Sequence, residues 1–229
     1  MKKIRVSSEL TYILAIIILS FSVAMVAASN FGVSMIVAPA YILSQKISFL
    51  TFGQCEYILQ ASLFIVLCIL MKKVKIVYLS SFITCIFYGA VLDLWRKIIP
   101  AFNPDVTAPG SFPMWERIIF FSFGMLLTSL AVSLFFKTYL YPQVYDFFVK
   151  IISAKFNIDR TKFKICFDIS CLIIGCIMTL SLFGKFVGIG IGTLIMTAFN
   201  GMIIGFFDRL TDNYIEFKPS IKKLYKFFN

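Results

Sequence analysis

Apolar residues run almost unbroken through six stretches of this sequence, at roughly 10–28, 54–71, 76–95, 115–136, 163–183 and 187–207, and charged residues collect between them. About 20 apolar residues is the length of a helix that crosses the hydrocarbon core of a bilayer. The pattern therefore predicts an all-α polytopic membrane protein with six transmembrane helices. The stretch from Val187 to Leu210 is the clearest. It opens on Gly188, Gly190 and Gly192, carries Asn200 and Gly201 at its centre, and closes on Asp208 and Arg209. Gly201 and Gly205 form a small-xxx-small face, which lets a second helix approach closely in lipid. Two shorter apolar segments, 31–49 and 139–156, each hold a proline, Pro39 and Pro142. Both read as interfacial or re-entrant half-helices. Their prolines mark either unwound backbone beside a cavity or ordinary helix starts.

Composition agrees with the pattern. Hydrophobic residues make up 60% of the chain and charged residues 14%, against about 25% charged in soluble domains. A net charge of +11 would suit nucleic acid, but the cations flank the apolar spans, so no nucleic-acid partner is expected. With the N-terminus inside and six crossings, 17 of the 22 Lys and Arg fall inside and 5 outside, the positive-inside pattern. Counting the two short segments as full spans moves Lys72 to Lys75 outside and weakens that bias. Both termini are thus expected in the cytoplasm. Two basic and aromatic segments are expected to lie on anionic headgroups there: 139–156 (Tyr141, Phe147, Phe148 and Ile151 among Lys150 and Lys155) and the tail 214–229 (Lys218 to Lys226). The basic N-terminus followed by Leu10 to Ala28 resembles a signal peptide. Its apolar run exceeds the usual length of about 7–15 residues, so it reads as a retained helix.

The chain has no His, which removes His-based metal sites, general bases and triads. Its six Cys (Cys55, Cys68, Cys85, Cys166, Cys171 and Cys176) lie in apolar spans without a CxxC pair and read as small packing residues. The Gly188–Gly192 run lacks the Gly-Lys-Ser/Thr of a phosphate loop and suits a broken helix or close packing. No enzyme activity, cofactor or metal is expected.

The two halves look alike. Each runs span, Pro-containing segment, span, turn, and a span ending in Asp. The first, 1–98, carries Pro39, Glu56, Gly89 and Asp93. The second, 114–213, carries Pro142, Asp168, Gly205 and Asp208. A Pro-rich linker, 99–113, joins them, and a basic tail follows. Three spans per half is odd, so the second half must be inverted across the membrane, the pattern of many secondary transporters. Asn30 to Ser34 (NFGVS), Pro39 to Ser44 (PAYILS), the Thr51-Phe52-Gly53 turn and Gly89 to Asp93 resemble the first half of the YitT/YczE-like family of bacterial integral membrane proteins. Pro142-Gln143, Lys164 to Asp168, Val187 to Thr193 and Asn200-Gly201 resemble its second half. The resemblance implies a protein of the bacterial plasma membrane and supplies no activity.

Acidic groups in spans are costly and point to function, so Asp168, Glu56, Asp93 and Asp208 are candidates for a substrate or ion pathway, with Asp168 foremost. Structural readings stand beside them. Glu56 and Asp168 lie near helix N-termini, where the dipole favours a carboxylate. Asp93 has Arg96 and Lys97 nearby, and Asp208 has Arg209. Gln60 and Asn200 are deeper neutral polar groups, suited to substrate contact or to hydrogen bonds between helices. Two functions compete. A small secondary transporter predicts a polar cavity between the halves. A non-transporting assembly or regulatory protein, a homo-oligomer or partner of another membrane protein, predicts a filled interior.

Overall fold

The structure, a computed structural model, describes residues 3–72, 76–108 and 110–228. Lys2, Lys73, Lys75 and Pro109, which enter the charge count and the linker, lie outside the described residues. Six helices are long and apolar enough to cross a membrane. They are α1 (Ser8–Ser29), α3 (Phe52–Met71), α4 (Ile76–Ile98), α5 (Met114–Phe136), α7 (Arg160–Phe183) and α8 (Ile191–Tyr214). Between them lie two shorter helices, α2 (Ala38–Lys46) and α6 (Val144–Phe156), and a 3-10 turn, Pro100–Phe102, in the linker. The chain is an integral, multi-pass membrane protein.

Helix ends follow from local chemistry. Ser7 and Asp159 side chains accept from the backbone N–H groups of Leu10 and Lys162, which caps α1 and α7. Thr51 and Gln54 form a capping box on α3. Asn30, Asn157 and Gly184 close α1, α6 and α7 in the left-handed conformation.

The sixth span begins later than its apolar pattern suggests. Val187 to Gly190 is not helical; Gly188 has φ +75°. These residues pair with the chain that follows α1: Val33 N–H donates to Gly188 O at 2.9 Å, and Gly192 N–H to Phe31 O at 2.8 Å. A Cβ on Gly190 would stand 2.6 Å from Phe31 O, so glycine is required for this approach.

The two short helices are re-entrant. Val144, which starts α6, donates its N–H to Gln60, well inside α3, whereas Lys155 near the α6 C-terminus donates to Leu70 O at the end of α3. Ala38, which starts α2, lies against Gly175 inside α7, and Lys46 at the α2 C-terminus donates to Leu182 O at the end of α7, at 2.9 Å. Each half-helix therefore points its N-terminus into the protein and caps the last turn of a span from the other half. This corrects the expectation of a headgroup-lying segment at 139–156. Phe147 is fully buried and Phe148 nearly so, because α6 packs between α3 and α7 and does not float on a surface.

The halves meet at α1 and α5. Gly124 lets Ser22 and Val26 come close, and Thr128 donates to Ser22 Oγ at 2.9 Å. Small residues at such a crossing are the usual basis of helix packing in lipid. Around this pair α1 packs on α4 and α5 packs on α8, while α2 packs on α7 and α6 on α3. Exchanging the halves maps each of these contacts onto the other. Two pairs break the rule: α4 packs along α3 and touches α6, but α8 packs along neither α7 nor α2 among the described residues.

The termini form a feature that an all-helical reading misses. β1 (Ile4–Ser7) and β2 (Ile215–Lys218) pair in parallel, which puts both ends of the chain at one end of the bundle. Ser220 and Ile221 N–H and Tyr139 O–H all donate to the Glu9 carboxylate. That end is called the terminal end below, and the opposite one the far end.

Candidate functional site

The N-terminal turns of α3 carry Thr51, Gln54, Glu56 and Gln60. At the far end, Gly53 and Gly89 let α3 and α4 cross in contact: a Cβ on Gly53 would stand 2.0 Å from Gly89 O. One α4 turn beyond Gly89, Asp93 reaches across. Its Oδ1 accepts from Gly53 N–H at 2.8 Å and its Oδ2 from Thr51 Oγ1 at 2.5 Å. Asp93 thus satisfies one free N–H group at the α3 N-terminus and holds the Thr51 hydroxyl that caps it, and its direct partners are not Arg96 and Lys97 as expected. Arg96 lies over the Phe52 ring, 5.3 Å from its centre.

One turn deeper, Glu56 is fully buried. Its Oε2 accepts from Gln60 Nε2 at 3.2 Å and from Tyr145 O–H at 3.4 Å. Gln60 Nε2 also donates to Gln143 Oε1 at 3.2 Å, and Gln60 Oε1 accepts from Val144 N–H at 3.1 Å. The first turn of the re-entrant helix α6 is thereby tied to the interior of α3. Two atoms are left over: Glu56 Oε1 and Gln143 Nε2 are buried and have no hydrogen-bond partner. Buried polar atoms are rarely orphaned, which makes this the best-formed candidate site in the described residues. Sequence reasoning named Glu56 and Gln60. It quoted Gln143 only beside Pro142 and did not name Tyr145: 83 residues separate Gln60 from Gln143, and tertiary packing alone joins them.

Asp168 lies elsewhere, on α7. Lys164 Nζ stands 3.5 Å from Asp168 and 3.3 Å from Asp146 on α6, so two carboxylates flank one ammonium. All three are partly exposed. This cluster is structurally adjacent to the first site, since Asp146 follows Tyr145. Asp208 accepts from Ser133 Oγ at 2.7 Å and stands 3.6 Å from Lys137, which holds Asp212 at 2.7 Å. The expected pairing with Arg209 is replaced, because neighbours in sequence point to different helix faces. Asn200 accepts from Ser129 Oγ at 2.5 Å, a link between α5 and α8.

The glycines divide. Gly188, Gly190 and Gly192 sit under the backbone of Phe31 to Val33 or under the rings of Tyr41 and Phe121. Gly201 and Gly205 have nothing within 4 Å of an added Cβ, so their face meets no helix among the described residues. Pro39 is in the first turn of α2, and Pro142 just precedes α6; both stand at re-entrant helix starts.

The halves enclose little space where they meet. A cavity lined by Val23, Val26, Val33, Ser34, Val37, Thr128 and Met196 holds about 10 Å³, room for one water, and its lining is mostly apolar. Among the described residues no cluster of His, Cys, Asp and Glu is arranged to hold a metal ion.

A family of unknown function, DUF6198, matches residues 6–209. The chain belongs to that family. No curated protein and no solved structure matches it. The DUF6198 match covers every element from α1 to most of α8, so both halves and both re-entrant helices lie within the family's extent.

Proposed function

We propose that the protein is a small secondary transporter whose two halves exchange conformations. The observation that carries this reading is where the exchange of contacts breaks: α4 is closed on α3 and α6, while α8 is apart from α7 and α2 among the described residues. In inverted-repeat transporters the two repeats adopt different conformations, and swapping them turns the protein to face the other side. On this reading the far end is shut by Thr51, Gly53, Gly89 and Asp93, and the terminal end is open between α7 and α8. In the opposite state α3 and α4 separate and Asp93 releases Gly53. Two re-entrant helices with inward N-termini add support, since broken helices of this kind build substrate sites near the membrane midplane. The charge distribution favours cytoplasmic termini, and the YitT/YczE-like resemblance favours a bacterial plasma membrane.

Hydrogen exchange on the protein in nanodiscs tests the reading, with and without a Thr51→Cys/Asp93→Cys disulfide that locks the far end. Locking should slow exchange at residues 51–56 and speed it along α7 and α8. Change confined to the locked residues would sink the proposal. The filled contact between α1 and α5 and the bare Gly201/Gly205 face favour a second reading, a membrane assembly protein that acts through helix contacts. That reading expects a constant protection pattern and association in the bilayer.

A further inference from the structure

The site at Glu56 raises a question of charge. Groups from several helices face it: Cys55 and Gln60 on its own helix, Cys85, Tyr88 and, toward the far end, Asp93 on α4, and Tyr145 on α6. Cys171 on α7 approaches through Tyr145, and Tyr41 on α2 packs on Phe52. None of these is Lys or Arg. The described cations of the neighbourhood are engaged elsewhere, Arg96 on Phe52 and Lys164 between Asp146 and Asp168. A buried carboxylate without a cation is expensive inside a membrane, so its charge needs a mobile partner.

The donor set limits what that partner is. A hard metal cation takes about six oxygen ligands. Here Gln60 Oε1 and Gln143 Oε1 are each turned to an N–H donor, no group of His, Cys, Asp and Glu among the described residues is arranged to hold a metal ion, and Glu56 Oε1 is the one oxygen of the set without a partner. One oxygen suits a proton and does not make a metal shell. Resting on the transporter reading, we propose that Glu56 Oε1 is the proton-binding site that couples transport. In each cycle the Glu56 carboxylate takes a proton from water on one face of the membrane and returns it to water on the other. Tyr145 holds the second oxygen in place, and the partly exposed pair Asp146 and Asp168 lies between this site and the terminal end, where protons exchange with solvent.

Infrared difference spectroscopy of the full-length protein in nanodiscs, between acid and alkaline pH, reads this directly. A pH-dependent carbonyl band of a protonated carboxylic acid is expected. It should vanish in Glu56→Gln, persist in Asp168→Asn, and change frequency in Tyr145→Phe, which removes one hydrogen bond while keeping the carboxyl. If Glu56→Gln does not fold, the frequency change in Tyr145→Phe decides. No pH-dependent carboxyl band in the wild type, a band indifferent to both Glu56→Gln and Tyr145→Phe, or a band removed by sodium at fixed pH would overturn the proposal. The measurement needs neither substrate nor motion of the halves. A Glu56 band with static halves would therefore leave the proton site standing without the transporter reading, and moving halves without the band would do the reverse.

Discussion

The two helix hairpins that end each half are built from similar parts and packed differently. In the first, glycines at positions 53 and 89 allow backbone contact, and Asp93 bridges the crossing to the start of α3. In the second, Asp208 turns to Ser133 and Lys137 on α5, and Gly201 and Gly205 of α8 have open space beside them. Equivalent carboxylates near the ends of α4 and α8 thus do different work. The difference teaches that likeness of pattern between halves guarantees shared topology, while side-chain detail sets which hairpin is shut.

Changes at the glycines should break the comparison most visibly. Gly53→Ala drives a Cβ into Gly89 O and the Asp93 carboxylate. Overpacking of this kind costs about 1–3 kcal/mol, so its thermal midpoint in detergent should fall sharply. Gly201→Ala meets open space and replaces glycine inside a helix, which gains about 0.5–1 kcal/mol; its midpoint should hold or rise. Equal losses at the two sites would contradict the described packing.

The aspartates come next. Asp93→Ala removes two hydrogen bonds to a charged group and should cost about 2 kcal/mol, read as a lower unfolding midpoint. Asp208→Ala should cost about 1 kcal/mol or less, since Lys137 keeps Asp212. Where the halves are alike the effects should be alike. Lys46→Met and Lys155→Met each remove a cation from the last carbonyls of a span, and each should cost about 0.5–1 kcal/mol. A large difference between them would argue against the exchange of contacts.

The smallest effect belongs to the exposed strand pair. Hydrogen bonds from Lys218 and Arg5 hold the Glu216 carboxyl below the usual carboxylate range. Whatever stability this gives is present above the unfolded pKa of Glu216 and is lost as pH falls through its lowered folded value. Because the Arg5–Glu216 pair is open to solvent, Arg5→Ala should leave the neutral-pH melting curve unchanged and alter only its salt dependence.

Much of this architecture was legible because the bilayer imposes it. Span length and apolarity depend on composition alone, so all six helices fell where the apolar runs lie. The two prolines marked the re-entrant helices, but their depth depends on Gln60 and Gly175, distant in sequence, and so could not be read. Glu56 was visible as a carboxyl in a span; its orphaned oxygen was not, since Gln143 and Tyr145 reach it only through tertiary packing. Asp168 was visible as a carboxyl in a span; that it shares the Lys164 ammonium with Asp146 on another helix was not, since α6 meets α7 only through tertiary packing. Gly201 and Gly205 matched a motif, whereas the close crossings use Gly53, Gly89 and Gly124, whose partners lie on other helices. The paired termini rest on four-residue strands too short to signal.

The most direct test of the exchange of conformations is the distance between α7 and α8 in a bilayer. Spin labels on Cys166 and on Leu210→Cys, both at exposed positions toward the terminal end, with the other cysteines replaced, report it by electron–electron double resonance. The unlocked protein should give two distances. Closing the far end with the Thr51→Cys/Asp93→Cys disulfide should leave only the longer one. A single distance, the same with and without that disulfide, would mean that the two halves do not exchange.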